Sequence, residues 1–161
     1  MVRLRQALLP WVVSRAIVLL ALGAVHQIRD HAVLVGGRLV TVGLTAWDGA
    51  FYRDIARHGY AAVEMRDGLR FFPLYPLLAR LLGGSDLALV ALANLAALLA
   101  LVLVAAVAAE WTDERCAERV VWIVALGPGA LATVMGYAES LFLVAAARSE
   151  EHTSELQSPC N

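Results

Sequence analysis

Residues 87–109 read LALVALANLAALLALVLVAAVAA, and this stretch decides what kind of protein the chain is. It contains 23 residues with a single polar side chain, Asn94. As a helix at 1.5 Å per residue it would reach roughly 35 Å, enough to cross ~30 Å of hydrocarbon with some tilt. The composition around it agrees. The chain has 161 residues, 60% of them hydrophobic and only 17% charged, and its mean hydropathy is +0.69. A soluble domain carries about 25% charged residues. A chain this apolar would cover a soluble surface with hydrocarbon, so an all-α integral membrane protein is expected. The formal net charge of −1 leaves no footprint for nucleic acid. All 13 basic residues are Arg. Cys116 and Cys160 are too few and too far apart for a disulfide framework or a zinc site.

Outward from that helix, a first span is expected at about 7–25, after Arg3 and Arg5, interrupted by Pro10, Ser14 and Arg15. A cleaved signal peptide with a small-x-small site at Ala21 and Gly23 is the alternative, and an Arg inside the apolar run argues against it. If the helix starts at Trp11, Arg15 snorkels to the cytoplasmic headgroups; if it starts at Ala7, Arg15 lies near mid-bilayer and needs a partner. Snorkelling is the preferred reading. On the other side, 110–119 is a charged connection, and the apolar segment 120–147 is divided by Gly127-Pro128-Gly129 and holds Glu139. Two short helices are expected, 120–134 and 138–147, with a turn near Gly136. After Ala147 the style changes within one residue. Residues 148–158 resemble the translation of a sequencing adapter, so 148–161 is read as a non-native tail and the natural chain is expected to continue beyond Ala147. Arg3 and Arg5 place the N-terminus in the cytoplasm, 26–86 outside and 110–119 inside.

Residues 26–86 form the polar part. They hold seven Arg, five Asp and one Glu, with the glycine pairs Gly36-Gly37 and Gly83-Gly84 and seven of the twelve aromatic residues. Polar groups mixed with aromatic rings suit the headgroup layer, and the segment is read as a large outer loop of short helices on the membrane. Its densest cluster runs from Trp47 to Tyr60: Asp48 and Gly49 look like a helix start, Phe51, Tyr52 and Ile55 share one face, Arg53, Asp54 and Arg57 another, and Gly59 ends it. On spacing alone Asp48 is an N-cap of an interfacial helix. A second cluster, Arg70-Phe71-Phe72-Pro73-Leu74-Tyr75-Pro76 through Arg80, offers guanidinium groups for a lipid phosphate or for ordinary headgroup contact. The third is Tyr137-Ala138-Glu139-Ser140, where an ionisable group beside an apolar run is a functional candidate, or a first-turn Glu favoured by the helix dipole. His26, His31 and His58 have no metal-ligand spacing.

Taken together these motifs resemble the PIG-V-type mannosyltransferases, relatives of GPI mannosyltransferase 2. Trp47-Asp48-Gly49-x-x-Tyr52-x-x-Ile55-Ala56-x-x-Gly59-Tyr60 is similar to the family's first-loop motif, Phe71-Phe72-Pro73-Leu74-Tyr75-Pro76 to its second element, and Gly127-Pro128 with Tyr137-Ala138-Glu139-Ser140-Leu141-Phe142 to its third-to-fourth helix region, where Gly127 departs from the usual Phe. The resemblance covers about residues 8–147. It implies an N-terminal fragment of a multi-spanning GT-C glycosyltransferase with about three or four transmembrane helices, in the bacterial plasma membrane or, in a eukaryote, the endoplasmic reticulum membrane. It implies transfer of mannose from a polyprenyl- or dolichyl-phosphate mannose to a glycan or glycolipid acceptor on the extracytoplasmic face, with inversion. Asp48 occupies the position of the base. Trp47, Tyr52, Arg57, His58, Arg70, Tyr75, Arg80, Glu139 and Ser140 are the expected substrate contacts. No cofactor is implied beyond the lipid-linked sugar, and metal dependence stays open. The rival readings are a non-catalytic membrane protein, such as a transporter or scaffold, and a GT-C transferase for another sugar.

Overall fold

The computed structural model describes residues 2–28, 32–35, 38–41, 43–62 and 70–157. Two helices are long and apolar enough to cross a membrane: α1 (Val2–Ile28), over Arg3–Gln27, and α4 (Asp86–Trp111). Between them come a two-stranded antiparallel ribbon, β1 (Ala32–Val35) with β2 (Arg38–Thr41), and two short helices, α2 (Asp48–His58) and α3 (Leu74–Leu81). A 3₁₀ turn at Tyr60–Ala62 follows α2. After α4 come α5 (Glu114–Leu126), α6 (Ala130–Val134) and α7 (Glu139–Gln157).

The ribbon corrects the expectation of a loop built from short helices alone. Its strand sequences, AVLV and RLVT, are β-branched and flank Gly36-Gly37, a glycine pair that favours a tight hairpin over a helix. The two glycines themselves, like His31, lie outside the described residues.

The long helices form a bundle. α1 and α4 run antiparallel, with Ala7 packed among Leu101, Ala105, Val121 and Ala125. α7 runs alongside α4 in the same direction, Ala138 and Leu141 meeting the layer of Leu89 and Ala93 near one end and Leu143 and Ala147 facing Val104 and Val107 toward the other. Alanine dominates these contacts: Ala93, Ala97, Ala100 and Ala105 on α4 are all buried. Small side chains let helices approach closely. The outward faces keep the large residues. Leu9, Leu20, Leu87 and Leu95 are each at least 60% exposed, an apolar outer surface compatible with lipid contact.

At one end Arg3 donates to both Glu114 carboxylate oxygens, at 2.6 and 2.9 Å, and Gln6 adds a third bond at 2.9 Å. Those bonds, Arg3's first, hold the Glu114 carboxyl below its ordinary range. The connection between α4 and α5 contracts to Thr112-Asp113, where the Asp113 carboxylate accepts from the Cys116 N–H at 2.8 Å and caps α5. The expected charged loop 110–119 is thus mostly helix. At the opposite end α2 and α3 pack on the start of α4.

Three further expectations change. The segment 120–134 is not one helix. α5 stops at Gly127, where a Cβ would sit 2.8 Å from the Ile123 carbonyl oxygen, and a separate turn, α6, follows. The helix begun at Glu139 does not end at Ala147 but continues to Gln157, since Glu, Arg, Leu and Gln in the added stretch are good helix formers. Arg15 does not snorkel. α1 begins at Val2, so Arg15 falls at its midpoint and turns into the bundle, 8% exposed. Its Nε donates to Asn94 Oδ1 at 2.8 Å, Nη1 to Ser14 Oγ at 2.7 Å and Nη2 to the Thr133 carbonyl at 3.0 Å. The guanidinium lies 4.8 Å from the Trp11 ring centroid.

Candidate functional site

The site is assembled from two stretches far apart in sequence. The first is the approach to α2. Residues 43–47 turn tightly, with Ala46 N–H donating to Gly43 and Gly49 N–H to Ala46. Trp47 then takes φ 50°, ψ −118°, and it is the one non-glycine residue with positive φ among the described residues. A bulky residue there is strained by about 1–3 kcal/mol. Asp48 is the first residue of the helix, one position later than the N-cap expected for it. Trp47 occupies the cap, and no side chain caps the end. None of the hydrogen bonds or ion pairs among the described residues engages the Asp48 carboxylate. Gly59, with φ 85°, closes the helix.

The second stretch is 135–138, between α6 and α7. Gly136 N–H donates to the Leu44 carbonyl at 2.7 Å, and the Tyr137 hydroxyl to the Ala46 carbonyl at 3.1 Å. The two segments approach closely at both contact points. A Cβ at Gly136 would lie 3.2 Å from Thr45 Cγ2, and one at Gly49 would lie 3.4 Å from the Tyr137 ring. This close approach carries Glu139, the first residue of α7, to the side where Asp48 stands. Both carboxylates act on the phenols around them. Tyr52 is pushed up to about 12 by burial first, then by the charges of Glu139 and Asp48. Tyr137 is pushed up to about 12 by burial, then by Asp48 and Glu139.

A pocket of about 310 Å³ opens beside α2, lined by Asp48, Phe51, Tyr52, Arg70 and Phe71. Aromatic contacts fix its wall. Phe51 stacks on Phe71 with centroids 5.1 Å apart, and Tyr52 meets both Phe71 and Tyr75 edge to face at 4.9 Å. Tyr60 donates to the Phe71 carbonyl at 2.7 Å and holds that residue in place. One carboxylate, one guanidinium and a phenol therefore share a pocket with an aromatic wall.

Of the residues expected from sequence, Asp48, Tyr52 and Arg70 line this pocket. Glu139 stands close by, at the head of α7, and Trp47 is 57% exposed at the head of α2. The rest are elsewhere. Arg57 is committed to Asp86, 2.7 Å away, and to the Gly84 carbonyl at 3.2 Å. His58 is exposed at the far end of α2, and Arg80 is exposed near Gly59. Tyr75 is buried beneath the pocket, donating to the Leu89 carbonyl at 2.8 Å. Ser140 is fully buried and bonds the Thr133 carbonyl at 3.4 Å.

Sequence reading passed over Asp86. It accepts from Thr45 at 3.0 Å and Arg57 at 2.7 Å, lies 3.5 Å from Arg53, and ties α2 to α4. Its place at the start of a long apolar helix disguised it as an ordinary first-turn acid. A larger cavity, about 420 Å³, lies at the other end of the bundle, among Val104, Val107, Trp111, Val120 and Leu143. Its lining is almost wholly apolar, so it offers no chemistry. No group of three or more His, Cys, Asp or Glu able to hold a metal ion occurs among the described residues. No family model, curated protein or solved structure matches the chain.

Proposed function

We propose that the chain belongs to an integral membrane glycosyltransferase that takes mannose from a polyprenyl- or dolichyl-phosphate mannose at the extracytoplasmic surface. The observation that carries this reading is the pocket holding Asp48 and Arg70 against Phe51, Tyr52 and Phe71 at one end of an apolar helix bundle. A lipid-linked sugar phosphate presents its reacting bond at the headgroup layer. An enzyme acting on it needs a base, a cation and flat apolar surfaces at that depth. Asp48 is the base: it accepts the proton of an acceptor hydroxyl as that oxygen attacks the anomeric carbon. The bond from that carbon to the phosphate oxygen breaks, and the polyprenyl phosphate leaves as an anion whose charge Arg70 meets. The leaving group is already stable, so no acid is required opposite the base. The strained backbone at Trp47 supports the assignment, because such strain concentrates where a fold fixes a functional side chain.

The test is reconstitution in liposomes with polyprenyl-phosphate mannose. Arg70→Ala should weaken donor binding. Asp48→Asn should leave donor binding intact and abolish release of polyprenyl phosphate. Equal turnover of a glucosyl donor would move the reading to another sugar, and no donor binding at all would end it. One observation favours a second reading, transport. Arg15 is buried in the bundle, and the adjoining segment α5–α6–α7 is broken twice, as ion and solute sites in membrane bundles often are. Solute flux across the same liposomes, lost in Arg15→Met, would select it.

A further inference from the structure

We propose that Arg15 and Asn94 are a positioning pair that holds the break between α6 and α7 open and thereby sets Tyr137 and Glu139 against the Asp48 loop. The inference rests on the site assigned above but not on the reaction assigned to it.

The break has a definite chemical requirement. α6 ends at Val134, and the carbonyls of Thr133 and Val134 lose the helical N–H groups that would otherwise reach them, those of residues 137 and 138. In a bundle surrounded by lipid no water substitutes for those donors. Arg15 and Asn94 supply them. Arg15 Nη2 donates to the Thr133 carbonyl at 3.0 Å, and Asn94 Nδ2 donates to the Val134 carbonyl at 2.9 Å. The two side chains are joined by Arg15 Nε to Asn94 Oδ1 at 2.8 Å. Asn94 is braced on its own helix through the Val90 carbonyl at 2.8 Å, and Arg15 through Ser14 Oγ at 2.7 Å and the Trp11 ring. All of the guanidinium's hydrogen bonds among the described residues go to neutral acceptors, as suits a clamp on carbonyls rather than a store of charge.

The alternative conformation is a rewound helix, in which the N–H groups of 137 and 138 take the same two carbonyls. The pair competes directly with that state. What the open state secures is the contact of Gly136 N–H with Leu44 and of the Tyr137 hydroxyl with Ala46. Rewinding turns both residues away and withdraws Glu139. Asn94 lies eight residues into α4, so the clamp sits about 12 Å along that helix from its start. It acts on the site without touching it.

Cross-linking in the intact membrane-embedded chain tests this, with Cys116 and Cys160 replaced by Ser. Thr45→Cys with Gly136→Cys reports on the open break, since a Gly136 Cβ would lie 3.2 Å from Thr45 Cγ2, within disulfide reach. Arg3→Cys with Glu114→Cys, bridged by a short bis-maleimide, reports on the far end of the bundle. Asn94→Leu should slow the 45–136 disulfide by about tenfold or more, the shift implied by losing buried polar contacts of this kind, and leave the 3–114 bridge unchanged. Arg15→Met with Asn94→Leu removes the charge as well as its partner. It should show the same split if Asn94→Leu alone folds poorly. Arg15→Lys should not restore the disulfide, because an ammonium lacks the planar fork that spans Asn94 and Thr133. Equal slowing of both cross-links would reduce the pair to general bundle packing. An unchanged 45–136 disulfide, or full rescue by Lys, would overturn the clamp. The readout needs no substrate, so its failure and a failure of sugar transfer are separate results.

Discussion

Asp48 heads α2 without capping it, and this gives the sharpest prediction. A capping Asp differs from Ala by about 1 kcal/mol, while Asn caps as well as Asp. Asp48 sits one residue inside the helix, and no hydrogen bond among the described residues uses its carboxylate. What its charge contributes to the fold is the favourable placement of an anion at a helix start, about 0.3–1 kcal/mol at an exposed position. Asp48→Asn and Asp48→Ala each lose that contribution and nothing more, so their unfolding midpoints in detergent should coincide. Their activities should coincide as well. Neither side chain accepts a proton, and loss of a general base costs roughly 10²-fold or more. The assay pairs thermal unfolding of each variant with mannosyl transfer from polyprenyl-phosphate mannose in liposomes. An Ala variant less stable than Asn by about 1 kcal/mol would mean that the side chain caps the helix in the membrane. Transfer by Asp48→Asn near the parent rate would remove Asp48 from the chemistry.

Tyr75 separates structure from binding: Tyr75→Phe keeps the ring contact with Tyr52 and loses only the bond to Leu89, so stability should fall by about 1 kcal/mol with donor affinity unchanged; reduced affinity at unchanged stability would make it a substrate contact. The phenols of Tyr52 and Tyr137 are raised from near 10 to about 12, so the unfolded chain releases their protons first. Stability should hold up to about pH 10 and then decline by up to ~1.4 kcal/mol per pH unit for each tyrosine until pH 12. Thermal unfolding across that range checks it, and Tyr52→Phe should make the slope shallower without abolishing it, since burial raises the Tyr60, Tyr75 and Tyr137 phenols as well. Cys116, partly exposed in the first turn of α5, should resist an impermeant thiol reagent in intact cells and react after permeabilisation, once Cys160 is replaced by Ser; labelling in intact cells would reverse the expected orientation.

What the sequence disclosed depended on whether the deciding forces were local. The helix over 87–109 was legible because a long apolar run with one polar side chain satisfies its backbone within a single helix. The end of α2 was legible because Gly59 takes a conformation that other residues resist. The ribbon was missed although AVLV-Gly-Gly-RLVT carries a hairpin signature, because the surrounding polar and aromatic residues suggested interfacial helices. Arg15 was misplaced for a different reason. Its environment is set by Asn94 and Thr133, 79 and 118 residues away, and an Arg in an apolar run looks the same whether it reaches for headgroups or for a neighbouring carbonyl. The double break in 120–139 follows from Gly127 locally and from Arg15 and Asn94 at a distance, so only its first half could be read.

The two acids are placed alike and yet are not interchangeable. Each is the first residue of a helix, and each has an apolar or aromatic segment bound tightly in front of it. Asp48 lines the pocket with Arg70, whereas Glu139 does not. Glu139 reaches the site through its charge, felt at Tyr52 and Tyr137, and its position depends on a turn tied to residues 44–46. A base must come within hydrogen-bond reach of the proton that it removes. If Asp48 proves dispensable, Glu139 takes over only if the 135–138 turn moves toward the pocket. Asp48→Asn activity should then collapse in Asn94→Leu, where the clamp on that turn is lost, and a double variant that still transferred mannose would leave neither acid as the base.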